Sequence, residues 1–265
     1  MNIVAVVQAR TGSSRLPGKV LAKVAGAPVL ERMLERVRAA TLVDRVVVAT
    51  TTLGADDPIV ELASSIGIDC VRGHATDLLD RHVLVARIHA ADVVVKIPSD
   101  CPLIDPATID QVIGAYLAHA AMGRIDYLSN LHPGSWPDGF DVEVMSRAAL
   151  ELAHREATRA IDREHTTPFL WDQPARFIVR NVRWRRDDDA WRRYRLTLDY
   201  PEDLAVIRNI FDALWTRDRH FTIDDILALL TAHPELAAAN AEYLGASWMD
   251  HHRHELSTTH AGDLS

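Results

Sequence analysis

Cysteine is scarce in this chain: Cys70 and Cys101 are the two among 265 residues, and they form no CxxC pair. Two thiols exclude a disulfide framework and read as small buried hydrophobes in a reducing compartment, the cytoplasm. Positive charge is also short. Lys plus Arg number 29 against 37 Asp plus Glu, a net charge of −8, which argues against a face built to coat nucleic acid. No apolar run approaches the roughly 18 residues of a membrane span, so no membrane partner is expected. The apolar stretch from Ile3 to Val7 has no basic region before it and no cleavage pattern after it, and Arg10 interrupts it, so no secretory leader is expected. Gly, Pro and Ser nowhere gather into a linker, and no internal repeat occurs. What remains is an ordinary globular balance, 48% hydrophobic and 25% charged, in a chain long enough to bury a core without disulfide or metal staples.

The first 110 residues alternate between two periods. NIVAVVQ (2–8), DRVVVAT (44–50) and DVVVKIP (92–98) are short β-branched runs suited to parallel strands covered on both faces. Between and after them, Leu30, Met33, Leu34 and Val37, then Ile109, Val112, Ile113 and Tyr116, repeat at helical spacing. Strand and helix in alternation predict a doubly wound α/β sheet, whose ligands bind beyond the carboxyl ends of the strands. Further strands are predicted at 126–130, 141–146, 176–184 and 195–199. Pro201 opens one helix, and Thr222 caps another with Asp225 at its third position. The pattern fades after Leu244, so residues 1–246 read as one domain and 247–265 as a mobile tail, HHRH (251–254) included.

The segment QARTGSSRLPGK (8–19) follows the first strand directly. Gly12 and Gly18 permit unusual backbone angles, Ser13 and Ser14 offer hydroxyls and amides, and Arg10, Arg15 and Lys19 place three cations in ten residues. A polyphosphate asks for this combination of close N–H groups and fixed positive charge. The loop is not a Walker A motif, because five residues separate Gly12 from Gly18-Lys19 and Val20 stands where Ser or Thr is required. No G-x-G-x-x-G occurs here either. A solvated basic turn is the plain alternative.

The pattern Q-A-R-x-G-S-x-R-L-P-G-K resembles the opening of the spore-coat polysaccharide synthesis protein F family. That family stands with the cytidylyltransferases that activate acylneuraminate and 3-deoxy-manno-octulosonate. The resemblance continues through VATTT (48–52), Asp56-Asp57, VRG (71–73), DLLDR (77–81), DCPLIDP (100–106), PDGFDVEV (137–144), EHTTP (164–168) and LDYPEDL (198–204), and so covers about residues 1–245. It implies a Rossmann-like, GT-A-like nucleotidyltransferase fold, a mostly parallel sheet between helical layers (α/β/α). It implies Mg2+-dependent transfer of CMP from CTP to a sugar, sugar-acid or related small-molecule acceptor with release of pyrophosphate.

By the same resemblance, Ala9, Arg10, Gly12, Ser13, Ser14, Arg15, Lys19, Thr51, Arg72 and Asp100 contact the nucleotide. Arg10, Arg15 and Lys19 offset the charge on the leaving group, and Asp100 and Asp199 hold Mg2+. Without the resemblance Asp199 reads as a helix cap, Asp100 as a turn residue, and Asp203 as decoration of a first helical turn. Many members have Arg-Ile-Thr-Gly or a similar run before the Asp, where this chain has Lys96-Ile97-Pro98-Ser99. The loop and strand NLHPGSWPDGFDVEV (130–144) supply acceptor candidates His132, Trp136, Asp141 and Glu143, and His165 joins them from the EHTTP segment. Asp141 and Glu143 are two apart and share a strand face, which also suits a solvated surface. Arg180 to Arg195, interrupted by Asp187 to Asp189, read as a solvated hairpin or subunit contact. A homodimer is implied by the resemblance alone. A phosphonate acceptor or another nucleotide stays open, as do a glycosyltransferase, which would need a D-x-D after a central strand where S-D-C (99–101) stands, and a non-catalytic nucleotide-binding protein.

Overall fold

The computed structural model describes residues 1–184 and 190–258. In chain order the strands are β1 (Ile3–Gln8), β2 (Lys23–Val24), β3 (Ala27–Pro28), β4 (Arg45–Thr51), β5 (Asp69–Gly73), β6 (Val93–Pro98), β7 (Tyr127–Ser129), β8 (Glu143–Ser146) and β9 (Val179–Asn181). The helices are α1 (Val29–Arg38), α2 (Asp57–Ser65), α3 (Leu78–Ile88), α4 (Pro106–Met122), α5 (Arg147–Glu156), α6 (Ala160–His165), α7 (Pro168–Trp171), α8 (Ala190–Arg193), α9 (Pro201–Leu214), α10 (Ile223–Ala232) and α11 (Met249–His252).

Seven strands form one sheet in the order β5-β4-β1-β6-β8-β7-β9, and β8 alone among them runs against its neighbours. Val4 to Val7 of β1 have no exposed surface, as expected of a central parallel strand covered on both faces. One face packs against α1, α2, α4, α9 and α10, the other against α3, α5, α6 and α7. The result is the α/β/α sandwich that the alternating periods predict. Asp105 caps α4 and also accepts from Ile223 N at 2.9 Å, which ties the start of α10 to α4. Arg36, fully buried on α1, donates to the carbonyls of Leu103, Ile104, Arg219 and Phe221 and so staples two loops to the same helix. Thr222 and Asp225 cap α10 reciprocally, as their spacing indicates.

Two sequence expectations fail within the described residues. RLTLD (195–199) is not a regular strand but an extended connector: Leu196 N donates to Asp138 O at 2.8 Å, and Leu198 N donates to Asp100 O at 2.8 Å. Loop backbone, not a neighbouring strand, consumes its ladder groups. Residues 247–258 do not behave as a free tail either. Asp172 accepts from the Ser257 and Thr258 amides at 2.6 and 2.8 Å, and Leu256 enters the second core. Local periodicity carries no sign of that docking, because the partners lie some 85 residues earlier. Residues 185–189 and 259–265, including Asp187 to Asp189, lie outside the described residues.

The connector needs one glycine. Gly139 has φ +103, and a Cβ there would meet the Leu196 carbonyl group at 2.5 Å, backbone that cannot swing away. Gly139→Ala therefore combines left-handed strain with a clash and should destabilise by more than about 2 kcal/mol. A lowered urea midpoint at unchanged slope checks this; a wild-type midpoint would mean the connector does not need the close approach.

Candidate active site

The 9–19 loop leaves the carboxyl end of β1 at the middle of the sheet. Ala9 N extends the β1–β4 pairing to the Ala49 carbonyl. The chain then turns on Thr11, whose N and Oγ1 each lie 2.7 Å from Asp56 Oδ1 and whose carbonyl accepts from Ser13 N and Gly18 N at 2.9 Å. Gly18 takes φ +71 just before Lys19, a position that favours glycine. Asp56 also accepts from Thr51 Oγ1, and these bonds outweigh burial to hold its carboxyl below the usual range. Gly12, Ser14 and Arg15 stay exposed at the rim, with Arg10. Thr51 thus commits its hydroxyl to loop anchoring. Arg72 likewise braces the 51–57 turn, donating to the Thr51 and Leu53 carbonyls and pairing with Asp57 at 2.7 Å.

Asp100 lies in the turn that follows β6 and Asp199 ends the connector, 99 residues apart in sequence. The Leu198–Asp100 backbone bond, reinforced by Thr197 Oγ1 donating to Asp100 O at 3.1 Å, brings them together. Lys19 Nζ lies 2.9 Å from Asp199 Oδ1 and 3.7 Å from Asp100 Oδ2, and Arg15 reaches Asp199 Oδ1 at 3.1 Å. Burial works to raise the Asp199 carboxyl, but Lys19, Arg15 and Arg195 outweigh it and hold it below the usual carboxylate range. Two more carboxylates face this pair. Burial, Asp141 and Asp100 push Asp138 up; burial, Asp100 and Glu143 push Asp141 up to about 7.

Arg195 is not part of a solvated hairpin. It is 4% exposed and binds Asp203 through Nε and Nη2 at 2.8 and 3.0 Å, with Asp138 at 3.3 Å and Asp199 at 3.5 Å. Asp203, fully buried, accepts from the Asp199 and Tyr200 amides at 2.9 and 3.0 Å and from Asn240 Nδ2 at 2.9 Å. It is therefore a fixed anchor rather than a surface charge on a first turn. Tyr200, not Asp199, caps α9.

Beyond Asp141, on the same face of the sheet, Lys96 pairs with Glu143 in a buried contact, and Tyr127 Oη donates to Glu143 Oε2 at 2.6 Å. Burial raises the Glu143 carboxyl, but Lys96 outweighs it and keeps it low. His132 stacks on Trp171 at 4.2 Å, and His165 on Trp248 at 3.8 Å. Trp136 turns into the core beside Trp184, its Nε1 donating to the Val182 carbonyl at 2.9 Å, and offers its ring to neighbours rather than to the cleft. The structure thus gathers Arg15, Lys19, Asp100, Asp199 and Asp141 at one mouth, and Glu143, His132 and His165 around Lys96. Gln8 Oε1, Arg81 Nε and His82 Nε2 are buried near these groups with no protein partner. Sequence reasoning missed Asp56, Asp138, Lys96 as a partner of Glu143, Arg195 and Asp203. The available signal was position: each lies within or beside a run that also contains a predicted site residue.

The donor set suits a hard divalent cation shared with phosphates. Asp100 and Asp199 converge on one positive centre, the Lys19 ammonium, and magnesium commonly uses one or two carboxylates with phosphate and water for the rest. Among the described residues no group of three or more His, Cys, Asp or Glu is disposed to hold a metal by itself.

A family model described as cytidylyltransferase matches residues 4–223. The spore coat polysaccharide biosynthesis protein SpsF of Bacillus subtilis is 28% identical over 89% of this chain and 97% of its own. A cytidylyltransferase structure from Leptospira borgpetersenii superposes with TM-score 0.84 at 30% identity, over 89% of this chain and 97% of that one. The structure of CMP:2-keto-3-deoxy-manno-octonic acid synthetase complexed with CTP shares the fold, with TM-score 0.62 at 18% identity over 80% of this chain and 99% of that one.

Two outcomes follow from this geometry. Arg195→Met should cost about 3–5 kcal/mol in denaturant unfolding, because it leaves Asp203 buried without its partner; an unchanged midpoint would mean that Asn240 and the backbone amides suffice. The second concerns pH. Burial lowers His82 to about 3 and His132 and His165 to about 4, whereas the unfolded imidazole titrates near 6.5. Between those values the unfolded chain binds more protons, so stability declines as pH falls from about 6.5 to about 4, by at most about 1.4 kcal/mol per pH unit for each histidine. Urea midpoints across that range should show the decline, and His132→Gln should make it shallower.

Proposed function

The chain belongs to the cytidylyltransferase family, and on that premise we propose that it transfers CMP from CTP to a sugar, sugar-acid or related acceptor in a Mg2+-dependent reaction. The observation that supports this best is the alternating charge at the mouth of the 9–19 loop. Arg15 and Lys19 converge on Asp199 beside Asp100, so a phosphate chain and a divalent cation find complementary partners within one side-chain length. The triphosphate lies along the loop, touching Ala9, Gly12, Ser13 and Ser14 through backbone and hydroxyl groups. Arg10 lies at the rim. An acceptor oxygen attacks the α-phosphorus in line, its bond to phosphorus forms, and the bond to the β-phosphate oxygen breaks. Pyrophosphate leaves with that electron pair, stabilised by Arg10, Arg15 and Lys19. A hydroxyl acceptor loses its proton to water; a carboxylate or phosphonate acceptor is already ionised and has none to lose. Asp100 and Asp199 would hold Mg2+, which would supply neutralisation of the phosphate charge.

The acceptor enters on the Asp141 side. The Lys96–Glu143 pair and the neutral rings of His132 and His165 form its far wall. The name of the Bacillus relative and that of the CTP-bound synthetase both point to a carbohydrate acceptor. Family membership supports a nucleotidyltransferase over a glycosyltransferase or a passive nucleotide-binding protein.

Thermal shift with CTP, GTP, UTP and ATP in the presence of MgCl2 tests the base and the metal together. CTP at about 100 Kd should add roughly 2.7 kcal/mol to the apparent stability, and Asp100→Asn should remove most of the Mg2+ dependence of that gain. Equal shifts from all four nucleotides would overturn the cytosine assignment. Asp100→Asn should also lower CTP-dependent pyrophosphate release by about 100-fold or more, and an active variant would remove Asp100 from the mechanism.

A further inference from the structure

Lys19 occupies a place that its assigned role does not require. A lysine that only waited for phosphate would keep its ammonium in solvent, and even Arg15, which also reaches Asp199, leaves its side chain half exposed. Instead its side chain is 12% exposed, and its ammonium is held by three oxygens: the Leu198 carbonyl at 2.7 Å, Asp199 Oδ1 at 2.9 Å and Asp100 Oδ2 at 3.7 Å. Lys19 touches both carboxylates, whereas Arg15 and Arg195 reach Asp199 of the two. Two partly buried carboxylates this close repel one another unless a cation stands between them. Lys19 meets that need with a compact charge on a flexible four-carbon stem, and its backbone is fixed by the Gly18 turn.

We propose that Lys19 is an exchangeable internal cation. It holds the Asp100–Asp199 pair against free divalent ions until a triphosphate draws the ammonium to its own oxygens, so that metal enters with the nucleotide. The inference rests on the proposed placement of the triphosphate on the 9–19 loop and adds an order to it. No bond is made or broken; two positive charges change places. The ammonium passes from carboxylate to phosphate, and the carboxylates receive the divalent ion that the phosphates share. The pair exchanges a single positive charge for a double one, so the protein never carries two uncompensated carboxylates at the carboxyl end of the sheet. Linkage then requires reciprocity: nucleotide raises the affinity for metal by the same factor as metal raises the affinity for nucleotide.

Mn2+ is the probe, with free Mn2+ read by electron paramagnetic resonance on the full chain. Without nucleotide, the wild type should bind Mn2+ weakly, and Lys19→Met should bind it about tenfold or more tightly. Adding Asp199→Asn to that variant should abolish the gain, and Lys19→Arg, which restores a cation, should stay near the wild type. CTP should tighten Mn2+ binding to the wild type by about tenfold or more and affect Lys19→Met much less. Should Lys19→Met fail to fold, Lys19→Gln keeps a donor for the Leu198 carbonyl while removing the charge. Wild-type affinity in a folded Lys19→Met or Lys19→Gln would overturn the inference, as would tight Mn2+ binding by the nucleotide-free wild type. If Lys19→Met gains affinity but CTP leaves the wild type unchanged, the internal cation stands and the proposed nucleotide site falls.

Discussion

Arg195 carries three carboxylates at once, and the rest of the site takes its geometry from that guanidinium. Asp203 comes from α9, Asp199 from the connector before it, and Asp138 from the loop that leads to β8. A buried ion pair is weak evidence for stability, because desolvation offsets much of the attraction, but removing one partner leaves a charge with nowhere to go. Arg195 is better understood as a device of position. Its planar fork fixes Asp203 bidentately, Asp203 fixes the Asp199 and Tyr200 amides, and the Asp199 carboxylate is thereby delivered to Lys19 and Arg15. Tyr200 and Tyr243 stack at 4.0 Å with the guanidinium 5.7 and 5.8 Å from their ring centres, which shields this ion cluster on its outer side.

A second anchor mirrors the first at the other end of the loop. Asp56 takes the Thr11 amide and hydroxyl together with the Thr51 hydroxyl, so the loop that follows β1 is tied to the turn that follows β4. Between Asp56 and Asp199 the loop is left with exposed small residues and cations. Rigid ends with a polar middle suit a segment that must present amides to a ligand without reorganising. The two anchors need different chemistry. Asp56 holds backbone in a turn, and its field is met by hydrogen-bond donors; Asp199 holds side chains, and its field is met by full positive charges.

Much of this was legible from the residues alone. β-branched runs, helical spacing in α1 and α4, the Pro201 and Thr222 starts and the 9–19 loop are local signals, and local interactions produce them. The resemblance placed Asp100 and Asp199 as a pair, and the fold brings them to one ammonium. What stayed hidden depends on contacts across sequence. Arg195 sits in a run of arginines and aspartates whose composition suits solvent, yet Asp203, Asp138 and Asp199, from other parts of the chain or a turn away, hold its guanidinium inside. Trp136 lies in a loop rich in Gly and Pro, where an aromatic reads as a contact residue; the Val182 carbonyl gives its indole N–H a buried partner instead. Residues 247–258 have weak periodicity because they dock through backbone amides on Asp172 and through single rings, and neither leaves a repeat in sequence.

The two halves of the cleft differ in how their charge is balanced, and that difference bears on selectivity. On the loop side Arg10, Arg15 and Ser14 stay exposed, so an incoming polyanion meets positive charge and a hydroxyl at the rim. On the far side Lys96 is matched by Glu143, and His82, His132 and His165 are held neutral by burial. A ligand on that side gains little from net charge, since every strong charge there already has its partner. Discrimination must then come from shape and from hydrogen bonds to polar atoms still in want of them, such as Gln8 Oε1 and His82 Nε2. That mode penalises a missing hydroxyl more than an extra methylene, because the absent group leaves buried polar atoms unpaired. One side of the cleft thus offers positive charge and the other offers polar atoms still in want of partners, while the carboxylates between them are held by Lys19, Arg15 and Arg195.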